Sequence, residues 1–258
     1  MVFAGARGAW LNAGLTPGID VYPSREEGCH ALAREIAGLL RAKPEAVLGL
    51  PTGNSPVPLY RELVRLHREE GLSFARARCF NLDEYVGLSA GDPRSFRAWM
   101  QRQLFDELDF ASAHTQLPRG DGDAALEAQR FAAALAQAGG IDLQLVGIGR
   151  NGHIGFNEPG SARDSRTRVV ELAPETRADA AAAFGGLAHV PERAITLGIA
   201  EILDSRAIRV LAFGQGKAQV VRRMLEGEIG PDCPASFLRG HRDLRLVLDA
   251  QAAAGLQR

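Results

Sequence analysis

The chain has 258 residues, 46% of them hydrophobic, which is enough for one large domain or two small ones around a substantial core. Thirty basic residues against thirty-one acidic ones leave a formal charge of -1 with no long block of either sign, excluding a nucleic-acid footprint and an acidic tail. The three cysteines, Cys29, Cys79 and Cys233, are odd in number, far apart and set in apolar patterns, so they read as small core residues in a reducing compartment with no disulfide framework.

At the N-terminus, residues 1–14 (MVFAGARGAWLNAG) lack the continuous apolar run of a signal peptide, and no run in the chain approaches the ~20 apolar residues of a membrane span. A cytoplasmic location with no membrane partner follows as an expectation. IDVY at 19–22 reads as a first strand. Ser24, followed three residues later by Glu27, gives a capping-box signature, and Cys29, Leu32, Ala33, Ile36, Leu39 and Leu40 then trace one helical face. AVLGL at 46–50 is the next strand, and Leu59, Leu63, Val64 and Leu66 mark the next helix. ARCFNL at 77–82 is a strand. Phe96, Met100, Leu104, Phe105 and Leu108 form a stripe after Pro93 that reads as core.

LQLVGI at 143–148, AITLGI at 194–199, IRVLAF at 208–213 and LRLVLD at 244–249 complete the set of short apolar runs, each of a length that suits a strand buried on both faces of a parallel sheet. Residues 173–193 (APETRADAAAAFGGLAHVPER) carry little periodicity, an alanine tract and a Gly185-Gly186 pair, and read as a mobile segment, a lid. No repeat or compositional shift marks a boundary. The expected architecture is therefore a single α/β domain over 1–258, Rossmann-like, with a doubly wound, mainly parallel sheet and helices on both faces. In such a fold ligands bind outside the carboxyl ends of the strands.

Four loops fall at those ends. PTGNSP at 51–56 offers a glycine turn, backbone N–H groups ahead of a helix, and the hydroxyls of Thr52 and Ser55, which together make an anion cradle; its plain reading is a turn capped by Ser55. FNLDEY at 80–85 ends a strand with Asp83 and Glu84, whose side chains alternate, so at most one faces a given pocket. Burial would raise the pKa of that one toward the range of a general base, and the plain reading is a solvated helix-capping pair. GIGRNGHIGFNEPG at 147–160 holds one of only six histidines, and His153 meets Asn151 and Glu158 only if the loop doubles back. A carboxylate-oriented histidine is a proton shuttle, whereas a metal site needs more ligands than the loop supplies. FGQGKAQ at 213–219 puts Lys217 at a helix start, where a cation opposes the helix dipole unless an anion is bound.

In this order LGLPTGNSP, FNLDEYVGL, GIGRNGHIGFNEPGS, SRTR (165–168), VPERAITLGI and GQGKA resemble the glucosamine-6-phosphate deaminases, members of the glucosamine-6-phosphate isomerase/6-phosphogluconolactonase superfamily. The likeness runs from about residue 46 to 240. It implies isomerisation and deamination of a small-molecule sugar phosphate, glucosamine 6-phosphate, to fructose 6-phosphate and ammonia, with no cofactor and no metal. It also implies Asp83 as the base at C2, His153 as the ring-opening group with Glu158 and Asn151 orienting it, and Thr52, Gly53, Asn54, Ser55 and Lys217 as phosphate ligands. A cyclic sugar cannot enolise at C2 until C1 becomes a carbonyl, so the chemistry itself asks for two proton-transfer centres.

Two departures stand out. Relatives place an arginine where this chain has Ala182, and relatives activated by N-acetylglucosamine 6-phosphate carry a lysine where it has Val170, followed by Glu171. Another arginine, Arg177 among them, is expected to replace the one absent at Ala182. A 6-phosphogluconolactonase, a deaminase for another amino-sugar phosphate such as galactosamine 6-phosphate, and a sugar-phosphate sensor without turnover are the alternatives. Glu158 argues against the lactonase, which follows its histidine with a different stretch. The sequence leaves a homo-oligomer open.

Overall fold

Ser24 sits in extended backbone and accepts the N–H of Glu27 through its hydroxyl, which starts the first helix where the capping signature placed it. The computed structural model describes residues 17–256, so the stretch 1–14 and the outermost ends of the expected 1–258 unit lie outside the described residues. The elements run β1 (Gly18–Tyr22), α1 (Arg25–Ala42), β2 (Val47–Leu50), α2 (Val57–Glu70), β3 (Arg78–Asn81), β4 (Asp83–Tyr85), α3 (Phe96–Gln103), β5 (Thr115–Gln116) and α4 (Ala124–Gln137). They continue with β6 (Leu143–Gly147), β7 (Arg168–Glu171), α5 (Pro174–Phe184), β8 (Arg193–Thr196), α6 (Ile199–Leu203), β9 (Ala207–Ala212), α7 (Ala218–Glu226) and β10 (Leu244–Asp249).

Seven strands form one sheet in the order β1-β10-β9-β6-β2-β3-β5, with every neighbouring pair parallel. Strand residues alternate between two cores. Leu48, Leu50, Cys79, Leu143, Leu145 and Leu211 pack with α1, α2 and α3, while Val47, Phe80, Val146, Ile208 and Val210 pack with α4, α6 and α7. The sheet is thus covered on both faces, as its near-continuous apolar strands require. From β2 the chain moves outward through β3 to β5, then returns to the other side of β2 with β6 and proceeds through β9 to β10. The order therefore reverses between β2 and β6, and the carboxyl ends of β3, β2, β6 and β9 are consecutive along one edge. That reversal is where such sheets bind ligands.

One expectation is corrected, and one segment without a predicted element gains one. AITLGI was read as one more strand of the main sheet, but only its first residues are extended, in β8, and β8 pairs antiparallel with β4 and β7 in a separate three-stranded sheet. Gly198 then caps α6, so Ile199 is already helical. Residues 173–193, read as a lid with little periodicity, hold a regular helix, α5. Pro174 supplies the fixed φ of the first turn, the alanine tract has the highest helix propensity, and Gly185 closes the helix at φ 71°. Periodicity was silent because α5 buries only Thr176 and Phe184.

Candidate active site

The 147–160 loop folds back on itself. Gly152 and Gly155 adopt φ of 93° and 55°, conformations that favour glycine, and Gly149 donates its N–H to the His153 carbonyl at 2.9 Å. The imidazole of His153 lies flat over Gly149, where a Cβ would stand only 2.2–2.4 Å from three ring atoms. Glycine at 149 is therefore what gives the ring its place. The doubling back brings Glu158 to the histidine as the sequence required: its Oε2 is 3.4 Å from His153 Nδ1 and accepts from Asn151 Nδ2 at 2.8 Å, while Asn151 Oδ1 accepts the His153 N–H at 3.1 Å. At 3.4 Å the imidazole contact is an ion-pair approach rather than a formed hydrogen bond, and Nδ1 has no other acceptor among the described residues. Burial would raise the Glu158 pKa. The contacts from His153, Thr176 and Asn151 outweigh it and hold the carboxyl below its ordinary value.

The adjacent acids after β3 divide their roles. Glu84 is 1% exposed and accepts the backbone N–H groups of Tyr85, Phe96 and Arg97 at 2.9–3.0 Å, so it caps α3 from a distance in sequence. Asp83 is 7% exposed and accepts no hydrogen bond from any described residue. Burial first, and the Glu84 charge second, push it up to about 8. The capping reading thus holds for one acid of the pair and fails for the other. The small sheet sets Asp83 opposite Thr196, whose Oγ1 accepts the Phe156 N–H at 3.2 Å. A side chain at Gly155 would put its Cβ 3.3 Å from Asp83 Oδ2 and 3.0 Å from Thr196 Oγ1. So Asp83 and the histidine loop meet at Gly155.

The other two loops join the same edge. Lys217 closes a short 3-10 turn ahead of α7, reaches the Ile148 carbonyl at 2.7 Å, and is lowered in pKa by burial. In the 51–56 loop Gly53 has φ 93° and the Asn81 amide ties the end of β3 to the Leu50 carbonyl at 2.7 Å. The N–H groups of Thr52, Gly53, Asn54 and Ser55, with the hydroxyls of Thr52 and Ser55, have no acceptor among the described residues. Ser55 does not cap α2, which starts behind Pro56 without a side-chain cap, so the plain reading of this turn is not what the geometry supports. Six donors at a helix start are a place for an anion.

A cavity of about 330 Å³ lies between α5 and the histidine loop, lined by Arg150, Asn151, His153, Glu175, Thr176 and Asp179. A larger one, about 580 Å³, flanks α3 and contains none of the candidate catalytic or phosphate-binding residues, so the chemistry argues for the smaller. Thr176 and Thr196 escaped the sequence reading, because isolated threonines acquire meaning only from partners distant in the chain. Among the described residues no group of three or more His, Cys, Asp or Glu is gathered as a metal site needs, and no helix is long and apolar enough to cross a membrane.

The family described as glucosamine-6-phosphate isomerases/6-phosphogluconolactonase matches residues 24–247. The chain is 47% identical over 241 residues to the glucosamine-6-phosphate deaminase of Rhodopirellula baltica, covering 93% of this chain and 96% of that protein. A solved structure of a monomeric glucosamine-6-phosphate deaminase superposes with a TM-score of 0.91 at 42% identity, covering 93% of this chain and all of the other. A 6-phosphogluconolactonase from Trypanosoma brucei shares the fold at a TM-score of 0.75 and 22% identity, over 95% of this chain and all of that one.

Proposed function

The chain belongs to the glucosamine-6-phosphate isomerase/6-phosphogluconolactonase family, and we propose from that premise that it converts glucosamine 6-phosphate and water to fructose 6-phosphate and ammonia. One observation carries the reading: the loop that sets His153 against the Glu158 carboxylate meets, at Gly155, a buried aspartate with no hydrogen-bond donor among the described residues, so two proton-transfer groups share one sheet edge.

His153 moves a proton from the anomeric hydroxyl to the ring oxygen, breaking the C1–O5 bond and leaving an open-chain aldehyde. Glu158 steadies the imidazolium formed in transit, and Asn151 holds Glu158 and the His153 backbone together. Asp83, as carboxylate, takes the C2 proton; the electron pair forms the C1–C2 double bond as the aldehyde oxygen takes up a proton given by the C2 ammonium, leaving an enolamine, and the proton on Asp83 returns at C1 as the nitrogen lone pair closes a C2 iminium. The resulting iminium adds water and releases ammonia. Burial gives Asp83 a proton affinity suited to accept a carbon acid's proton and then give it back. Thr52, Gly53, Asn54, Ser55 and Lys217 hold the phosphate, the only dianion in the substrate, with neutral donors and one cation. The three cysteines are free and buried, which supports a cytoplasmic location.

The test is ammonia release by purified protein from glucosamine 6-phosphate, galactosamine 6-phosphate and, as a control for the lactonase, hydrolysis of 6-phosphogluconolactone, each with a chelator present. Turnover of the first substrate at full rate is expected. Turnover of the lactone alone, or loss of activity that a divalent metal restores, overturns the reading.

A further inference from the structure

The helix α5 has almost no apolar face of its own, yet it is held at three points, two of them on the histidine loop. Phe184 packs edge-on to Tyr85, with ring centroids 5.1 Å apart, at the end of an aromatic nest that includes Phe96 and Phe156. Asp179 forms an ion pair with Arg150. In the first turn, the Thr176 hydroxyl donates to Glu158 Oε1 at 2.5 Å, and Thr176 is only 9% exposed. That oxygen has no other partner among the described residues, while Oε2 serves Asn151 and His153. One carboxylate therefore has one oxygen committed to the helix and the other to the histidine.

We propose that Thr176 is a positioning residue: it fixes the Glu158 carboxylate in the orientation that aligns His153, so the seating of α5 and the readiness of the proton shuttle are a single event. This rests on the reading of His153 as the ring-opening group. A carboxylate gripped at one oxygen only can rotate about its terminal torsion, which is broad and soft. Gripping both oxygens removes that freedom, and a hydrogen bond to a charged group is among the stronger ones available. The charged groups around the cavity are Arg150, Glu175 and Asp179, with His153 beside them; among the described residues only Thr176 and Asn151 donate formed hydrogen bonds to the Glu158 carboxylate.

The experiment compares Thr176→Val, which removes the hydroxyl at constant shape, with Thr176→Ser, which keeps it. Thr176→Ala serves if the valine enzyme fails to fold. In steady-state kinetics the valine enzyme should lose about tenfold in kcat with KM for the sugar phosphate within about twofold of wild type, and serine should restore kcat. In parallel, the Glu158 carboxyl is titrated by ¹³C NMR. Its midpoint should move up in Thr176→Val, because a donor to the charged form is lost, and return in Thr176→Ser. An unmoved titration, or a valine enzyme with wild-type kcat, overturns the proposal. A wild-type protein that releases no ammonia would instead sink the proposed reaction, and the titration would still report on the link between helix and carboxylate.

Discussion

Asp83 and Glu84 are neighbours on one short buried strand, and every hydrogen bond goes to Glu84. The asymmetry gives a pH signature. Only ionised Asp83 can take a proton from carbon, so kcat/KM should rise with pH through an apparent value near the 8 to which burial and Glu84 push it. Glu84→Gln removes the neighbouring charge and should move that limb to lower pH. Stability should run the opposite way. A carboxyl whose folded pKa is raised stabilises the fold fully below its ordinary value of 3.8, and the contribution is lost as pH rises through about 8. Asp83→Asn should therefore exceed wild type in urea unfolding by a margin that widens across that window and then levels off. A constant margin would show that Asp83 is not held protonated.

Gly149→Ala tests the seat of the imidazole. The new methyl would overlap the ring at 2.2–2.4 Å, and the ring, not the backbone, is what can yield. The expected result is a folded protein with a melting temperature near wild type and kcat lower by about 100-fold, the order associated with misplacing a catalytic group by about 1 Å. Normal turnover would mean that the ring does not need this position.

Lys217→Ala should raise KM by about 10- to 150-fold, the equivalent of one charge-assisted hydrogen bond, and weaken competitive inhibition by inorganic phosphate to the same degree. Ala182 lies exposed on α5, so Ala182→Arg should leave KM unchanged if another arginine has taken over. The residue to examine is Arg150, which lines the cavity, rather than Arg177, whose guanidinium donates to the Val190 carbonyl at 3.1 Å. A rise in KM in Arg150→Ala with none in Arg177→Ala is the expected pattern. Tighter binding by Ala182→Arg would show the clamp to be weak instead of replaced.

N-Acetylglucosamine 6-phosphate should not activate this chain. The cavity of about 430 Å³ beside β7 is lined by Arg168, Val170 and Glu171, and Arg168 is already engaged by Asn157 Oδ1 at 2.9 Å and Ser161 Oγ at 3.2 Å. A carboxylate at the mouth repels a phosphate. Rate against substrate should be hyperbolic with and without that sugar; a sigmoidal curve that the sugar straightens would contradict this.

What the sequence disclosed and what it withheld follow from the range of the interactions. Runs such as LQLVGI and IRVLAF were legible because a strand buried on both faces has to be apolar throughout. The glycines around His153 announced a tight loop because glycine alone tolerates such turns. The division of labour between Asp83 and Glu84 was not legible, since it depends on Phe96 and Arg97 presenting their N–H groups from another element. Strands β4 and β7, of three and four residues, are too short to show a period and exist only because β8 lies between them. Thr176 belongs to the same class, its meaning supplied wholly by Glu158.

At one border of the main sheet, β1 pairs among the described residues only with β10, Gly18 opposite Arg245 through Tyr22 opposite Asp249. Among the described strands the first in chain order thus waits for the last. On the ribosome Ile19, Val21 and Tyr22 must wait without that ladder partner until β10 has been made, and closing so long a loop is slow by comparison with local contacts. Nascent chains stalled before residue 244 should leave this segment open to protease while the β2-β3 half is already protected, which makes the six residues of β10 the point at which β1 ceases to present two unpaired edges.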